Sequence, residues 1–410
     1  MLPSLPNFLV IAPPKTGTSW LAHNLRAHPG VFVPAIKEVK YFSTLHRRLD
    51  LSWYCAHFAP AEGRLAGEAS PSYAALPVSA IRRVRALMPD VKLVFLMRDP
   101  VARAWSHARH AHRYGEIPCA DLPDGGAPGA REWCAAAANE WALLSGDYLG
   151  QLRRWASAFP PDQLFVGFYE EIAERPAHLL RRVLRFLGAR PEVDLAPFPL
   201  AERVNAGDGC DPPADLVPLL RGLLGPRTAE LVAHLKGQFG LEPPLGWANT
   251  LTGDAVPAQT PEPFARESDD AYVAAVGLRE ATFCTAHREL VRDYRGFDLV
   301  YYRDRLFAID RAPGAPSPLG ADDATVARLL ATGRCLTADS LDELKERVAT
   351  RALERLESRL AAAEADARAA RATADRAAHE LAAALAELRH RGLAHRARRV
   401  VSRVARWVGR

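Results

Sequence analysis

Between residues 14 and 20 the chain reads Pro14-Lys15-Thr16-Gly17-Thr18-Ser19-Trp20. A glycine lets the backbone close around an anion, and N–H groups at a helix start point at it with the helix dipole behind them. Thr16, Thr18 and Ser19 add hydroxyl donors, and Lys15 brings a mobile positive charge. The set suits a phosphate-like anion; an ordinary strand-to-helix turn is the plainer alternative. It is not the nucleoside-triphosphatase loop, which needs G-x-x-x-x-G-K-[ST] with lysine after the second glycine. Here lysine precedes the only glycine, and no acidic strand end for magnesium is evident. A second cluster runs Arg98-Asp99-Pro100-Val101-Ala102-Arg103-Ala104-Trp105-Ser106-His107. The Arg98 guanidinium can engage a phosphate with its fork, and Ser106 adds a donor one or two turns later. Alone, Arg98-Asp99 reads equally well as a helix-capping pair. Lys37 and Lys40 can bind the same anion or an anionic acceptor, or serve as solvated surface charges.

Both clusters follow apolar runs that read as buried strands, Phe8–Ala12 and Lys92–Met97. Thr18 to His28 reads as a helix that His-Pro-Gly stops. A third run, Leu164–Phe168, leads to the helix-like Ala177–Leu187 with Gly188 as its stop. Apolar strands separated by helices predict an α/β fold, a P-loop-like parallel β-sheet flanked by helices, over residues 1–250. Two anion sites at the carboxyl ends of two such strands fit one nucleotide phosphorylated at both ends of its ribose. Residues 117–130 read as a surface loop and 251–264 as a Pro- and Thr-rich linker. A small α+β module is predicted at 265–339, with a helix-like stretch at about 268–292 and a hairpin formed by Phe297–Tyr302 and Arg305–Ile309. Ser340-Leu341-Asp342-Glu343 is a capping-box start. Leu341, Leu344, Val348, Ala352, Leu356 and Leu360 then open a run of three- and four-residue steps. This predicts a coiled-coil helix over 340–391 and a homo-oligomer through it; one long alanine-rich helix is the alternative.

The composition fits a soluble globular chain: 410 residues, 49% hydrophobic and 25% charged. No apolar run approaches a membrane span, and the start lacks a basic leader. The six cysteines lie far apart with no C-x-x-C pair, so neither a zinc site nor a disulfide scaffold is expected. A cytoplasmic location follows. The net charge of +5 sits in the tail, where eight arginines and no acid follow Glu387. The body is near neutral, and nucleic acid is not an expected partner. Residues 392–410 read as a basic amphipathic helix with Leu393, Ala397, Val400, Val404 and Trp407 on one face. It could lie on an anionic membrane surface, at the inner face of the membrane, or pack on a partner helix. Alanine and arginine richness suggests a bacterial source.

The ordered set of motifs resembles the sulfotransferase family, which uses 3′-phosphoadenosine 5′-phosphosulfate. Lys15–Trp20 is similar to its 5′-phosphosulfate loop and Arg98 to Ser106 to its 3′-phosphate segment. Lys37–Phe42, Gly67–Tyr73, Gly146-Asp147-Tyr148, Leu152–Trp155, Tyr169-Glu170 and Phe186-Leu187-Gly188 resemble the heparan-sulfate and bacterial carbohydrate branch. The resemblance implies that Lys15, Thr16, Gly17, Thr18, Ser19 and Trp20 hold the 5′ end, while Arg98 and Ser106 bind the 3′-phosphate. It implies in-line, metal-independent transfer to a hydroxyl, or an amine, of a carbohydrate or glycoconjugate. Charge builds on the departing phosphate oxygen, and Lys15 would stabilise it. Glu68 matches the glutamate that serves as base; a solvated loop acid is the alternative. His107 and His110 are expected on the helix surface. Ala69 stands where many carbohydrate-type members carry a second lysine, which argues against a highly anionic acceptor. Arg203-Val204-Asn205-Ala206-Gly207 only faintly echoes the segment that closes over the nucleotide. The 265–339 unit is similar to a small module found beside bacterial glycosyltransferases and sulfotransferases. The rival readings are a P-loop kinase or other phosphoryl transferase, and a non-catalytic nucleotide-binding scaffold on a coiled-coil stalk.

Overall fold

Five short strands build the sheet that carries both clusters: β1 (Phe8–Val10), β2 (Val31–Phe32), β3 (Leu65–Ala69), β4 (Lys92–Met97) and β5 (Leu164–Phe168). The structure is a computed structural model that describes residues 5–113, 129–202, 204, 211–251, 260–283, 288–312, 314, 315 and 317–390. All strand pairings in this sheet are parallel, in the order β2-β3-β1-β4-β5. Phe8 sits between Gly67 and Lys92 in register. A Cβ on Gly67 would lie 2.4 Å from the Phe8 ring, so the ring lies over a residue that must be glycine.

The strands are apolar throughout because both faces are covered. On one face Phe8, Val10, Val94 and Leu96 pack against α1 (Thr18–Ala27) and the helix Pro176–Leu187. On the other, Leu9, Ile11, Leu93, Phe95 and Met97 meet Tyr148, Leu152 and Trp155 of the helix Tyr148–Ala156. Three further helices matter to the site: α2 (Leu51–Ala56), α3 (Val78–Leu87) and α4 (Pro100–Arg113). The chain leaves β1 toward β2 on one side and β4 toward β5 on the other. The two connections diverge between neighbouring strands, which opens a crevice at their carboxyl ends.

A second sheet is antiparallel and sequential: β6 (Arg288–Tyr294), β7 (Phe297–Tyr302), β8 (Arg305–Asp310) and β9 (Cys335–Ala338). Arg303 and Asp304 turn β7 into β8 with φ of 46° and 55°, the two left-handed residues of a tight hairpin. The helix-like stretch at 268–292 divides instead into the helix Asp270–Phe283 and the strand β6. Arg-Glu-Leu-Val-Arg-Asp-Tyr is a charged edge strand with irregular register against β7, so its alternation is weak. The last helix, Leu341–His390, has 50 residues and is about 75 Å long. The first apolar positions of the predicted seam serve the fold instead. Leu341, Leu344 and Val348 are buried in the core beside Leu306, Ala308 and Ala338 of β8 and β9, whereas Leu353, Leu356 and Leu360 are exposed. Most of the 117–130 loop, most of the 203–207 segment and the tail 392–410 lie outside the described residues. No helix among the described residues is long and apolar enough to cross a membrane.

Candidate active site

The loop after β1 is closed by Thr16, whose hydroxyl donates to the Pro13 carbonyl at 2.7 Å. Lys15 and Gly17 take positive φ of 72° and 91°. A Cβ on Gly17 would fall 2.4 Å from Ile172 Cδ1, so conformation and space both require glycine. The first turn of α1 begins with the Leu21 N–H donating to the Gly17 carbonyl at 3.0 Å. The N–H groups at the start of α1 face its open end, and no acidic residue occupies that turn. Two expected ligands act differently. Trp20 is buried, with its indole N–H donating to the Leu200 carbonyl at 3.0 Å, and the Thr16 hydroxyl is spent on loop closure. Both can offer only backbone N–H groups to an anion.

Arg98 leaves the end of β4 beside this loop. The Tyr148 hydroxyl accepts from the Arg98 N–H at 3.2 Å and donates to the Arg98 carbonyl at 2.9 Å. The guanidinium lies over the Tyr169 ring at 4.4 Å, and its Nη1 is 3.5 Å from the Lys15 carbonyl oxygen. The two motif clusters are thus joined in space. Asp99 caps α4, accepting from the Ala102 N–H at 2.8 Å, while the Arg98 side chain reaches the Lys15 loop. Glu170 accepts from the Asp99 N–H at 2.8 Å and from the Trp247 indole at 3.1 Å. Gly146 is fixed by Arg103, whose Nη2 would lie 2.4 Å from an added Cβ. Asp147 is held by Arg227 through bonds of 2.8 and 3.1 Å. Ser106 lies half-buried on α4. Arg109 and Arg113 follow it at three and seven residues, hence on the same helix face.

Positive charge concentrates around Lys15. Burial, then Arg98, Arg113, Arg109 and Lys37 in turn, lower its pKa to about 8. Burial and Lys15 push His110 down to about 4. His107, expected on the surface, is only 7% exposed, and burial drives it well below the usual imidazole range. Both histidines are therefore neutral at pH 7. Arg109 and Arg113 escaped the motif reading, although their spacing from Ser106 carried the signal.

Lys37 and Lys40 both reach Glu38, with Nζ–oxygen distances of 2.5 and 3.4 Å. Burial opposes ionisation of Glu38, but Lys40 and Lys37 outweigh it and hold the carboxyl at about 2. These lysines are pinned to Glu38. Glu68, at 2% exposure, is no solvated loop acid. Its Oε1 accepts from Tyr54 of α2 at 3.0 Å and from Tyr73 at 2.8 Å. Its Oε2 accepts from Ser70 at 2.6 Å and from the Val39 N–H at 3.2 Å. Burial raises its pKa. The carboxylate anchors the loop that carries Lys37 and Lys40, and it could take a proton only if a present donor turned away. Arg288 of β6 clamps the same loop, donating to the carbonyls of Glu38 and, at 3.3 Å, of Val39.

A cavity of about 1130 Å³ extends from this cluster. Pro14, Lys40, His107 and His110 line it near the cradle; the helix Asp270–Phe283 and Arg288, Tyr301 and Arg303 of the second sheet line it elsewhere. Among the described residues no group of three or more His, Cys, Asp or Glu is placed to hold a metal ion.

The cradle, the second cation cluster and the order of the strands between them agree with a family match. Residues 5–198 fit the sulfotransferase domain. That segment is similar to sulfotransferases. The chain is 30% identical over 202 residues to the bifunctional heparan sulfate N-deacetylase/N-sulfotransferase 3 of Mus musculus, covering 46% of this chain and 23% of that one. It is 38% identical over 106 residues to the membrane-associated sulfotransferase kil1 of Dictyostelium discoideum, covering 25% of this chain and 22% of the relative. It thus spans under a quarter of the length of these relatives. A solved sulfotransferase from Alicyclobacillus acidocaldarius aligns with a TM-score of 0.46 at 23% identity, over 60% of this chain and 99% of that one.

Proposed function

We propose that this protein is a sulfotransferase that moves a sulfuryl group from 3′-phosphoadenosine 5′-phosphosulfate to a hydroxyl, or an amine, of a carbohydrate or glycoconjugate. The observation that carries the reading is the junction of Lys15 and Arg98 at the crevice between β1 and β4. One cluster would hold the 5′ end of the nucleotide and the other its 3′-phosphate. The donor set fits such a ligand: a helix start, an ammonium and a guanidinium, with no carboxylate in the first turn of α1. The donor, when bound, supplies an activated sulfuryl group and a phosphate leaving group. The kinase reading loses its ground, because the matched family is a sulfotransferase domain and lysine precedes the glycine.

Lys15 does the electrostatic work. Its ammonium, held among other cations in a half-buried site, would meet the charge that grows on the departing oxygen. Arg98 is oriented by Tyr148 and Tyr169 and would fix the other end of the nucleotide, so positioning is set before reaction. Ser106, with Arg109 and Arg113, would complete that pocket. The proton of the acceptor would go to Glu68, whose burial makes its ionised form a stronger base than an exposed carboxylate. Ser70 is the donor that can turn away, since its hydroxyl rotates while the Val39 N–H is fixed. The relatives named for heparan sulfate N-sulfotransfer support the carbohydrate class.

Calorimetry with adenosine 3′,5′-bisphosphate tests the nucleotide half. Binding should be present in the parent and fall at least 100-fold in Arg98→Ala and Lys15→Ala. The transfer half is tested with isotope-labelled donor and fractionated cell-envelope glycans, followed by mass spectrometry of the product. A parent protein that does not bind the bisphosphate would end the proposal.

A further inference from the structure

The cavity beside the cradle is walled on one side by a segment that lies outside residues 5–198, the part matched by the family domain. Val273, Gly277 and Leu278 of the helix Asp270–Phe283 face it together with Phe42, Leu76 and Trp141. These residues are apolar, with Glu280 of the same helix and Arg83 of α3 at the cavity as well; the other charged groups gather near the cradle and at the second sheet. At about 1130 Å³ the space exceeds the ~300–1,000 Å³ usual for a drug-sized ligand.

Gly277 gives a second, independent observation. It is the eighth residue of a 14-residue helix, where glycine is less favourable than alanine. Nothing lies within 4 Å of the position its Cβ would take. Close packing against the protein therefore does not demand glycine, and its backbone lies outside the left-handed region. The room it leaves opens into the cavity.

We infer that the helix Asp270–Phe283 is an acceptor-selecting wall, and that the acceptor is an amphiphilic glycoconjugate. Its sugar would face Lys15 and His110, and its aliphatic or other apolar aglycone would run over Gly277 toward Val273 and Leu278. A polar polysaccharide strand would leave that wall in contact with water; an alkyl chain buries it. The inference rests on the sulfuryl-transfer reading and refines its substrate.

The test compares n-octyl β-D-glucoside, below its micelle concentration, with methyl β-D-glucoside, by calorimetry on the full chain saturated with adenosine 3′,5′-bisphosphate. The octyl compound should bind at least 100-fold more tightly than the methyl one. Gly277→Leu, for which the helix has room, should weaken octyl binding at least tenfold and leave bisphosphate binding unchanged. Equal affinity for the two glucosides overturns the inference. So does an octyl affinity that Gly277→Leu does not reduce, since the chain would then sit elsewhere. Failure of the bisphosphate to bind would count against the nucleotide reading, and the glucoside comparison, repeated without nucleotide, would still decide the wall.

Discussion

Lys15 should make nucleotide binding depend on pH in a window where few other groups respond. Its pKa of about 8, against an ordinary 10.5, means that the ammonium is already half lost at pH 8 and about nine-tenths lost at pH 9. Bound phosphate favours the charged form and raises the pKa again. The sign follows: a ligand that prefers the ammonium binds with full strength below about pH 7 and loses affinity as pH rises through 8. If binding restores the ordinary value, the affinity for adenosine 3′,5′-bisphosphate falls about tenfold between pH 7 and pH 9. Near pH 8.5 about 0.7 proton is taken up per ligand bound. The phosphates, with second ionisations near pH 6, remain fully charged across this range. His110 at about 4 and Glu38 at about 2 titrate far below it, His107 lies well below the imidazole range, and burial pushes Tyr148 far above. Calorimetry at constant ionic strength, in buffers of different ionisation enthalpy, measures both affinity and proton uptake. Lys15→Arg should flatten the profile, because arginine keeps its proton throughout. Affinity that is constant from pH 7 to pH 9, with no proton uptake in the parent, would refute the reasoning.

Three more expectations can be checked directly. Gly17→Ala should abolish bisphosphate binding, since its Cβ would meet Ile172 Cδ1 at 2.4 Å on a φ of 91°; pairing it with Ile172→Ala should relieve only the clash, and full recovery of binding would show that backbone conformation is unimportant. Glu68→Ala should lower stability by about 3–5 kcal/mol by stranding four donors, read as the urea midpoint, whereas Glu68→Gln should keep bisphosphate affinity within threefold and lose turnover at least 100-fold. Turnover retained in Glu68→Gln would leave Glu68 as an anchor alone. Leu356→Glu combined with Leu360→Glu should convert an oligomer to a monomer in sedimentation velocity, and a parent that is itself monomeric would remove the case for the seam.

The strands β1, β4 and β5 were legible because strands buried on both faces are apolar without interruption. β2 and β3 were not: β2 has two residues, and Leu65-Ala-Gly-Glu-Ala carries a glycine and a buried carboxylate that no strand pattern anticipates. That carboxylate survives there because four donors meet it: Ser70 and Tyr73 just beyond the strand, and Tyr54 and the Val39 N–H from other elements. At the site, the meeting of Lys15, Gly17 and Arg98 at one crevice could be read from residue type and position alone. Trp20 and Thr16 could not be assigned correctly, because whether a polar side chain faces a ligand or braces its own loop depends on the partner it finds. For Trp20 that partner is Leu200, 180 residues away. His107 of α4 differs from its expected surface place for a related reason: the helix buries it against elements that periodicity does not name.

The use of lysine at position 15 carries its own argument. The chain has six lysines among 53 basic residues, so arginine is its ordinary cation. Lys92 serves structure, donating to the Phe186 carbonyl at 2.6 Å, and Lys37 and Lys40 are committed to Glu38. Lys15 is half-buried and crowded by positive neighbours, with burial first and then Arg98, Arg113, Arg109 and Lys37 acting against its charge. Arginine there would keep its proton under the same pressure, but its planar fork is too broad to act as a point charge beside one oxygen. The repulsion that loosens the Lys15 proton is relieved when a multiply charged anion enters, and relieved again when charge shifts to the leaving oxygen. A cleft arranged this way binds anions most strongly where negative charge is most concentrated, and in an in-line transfer that point is the transition state and the departing phosphate.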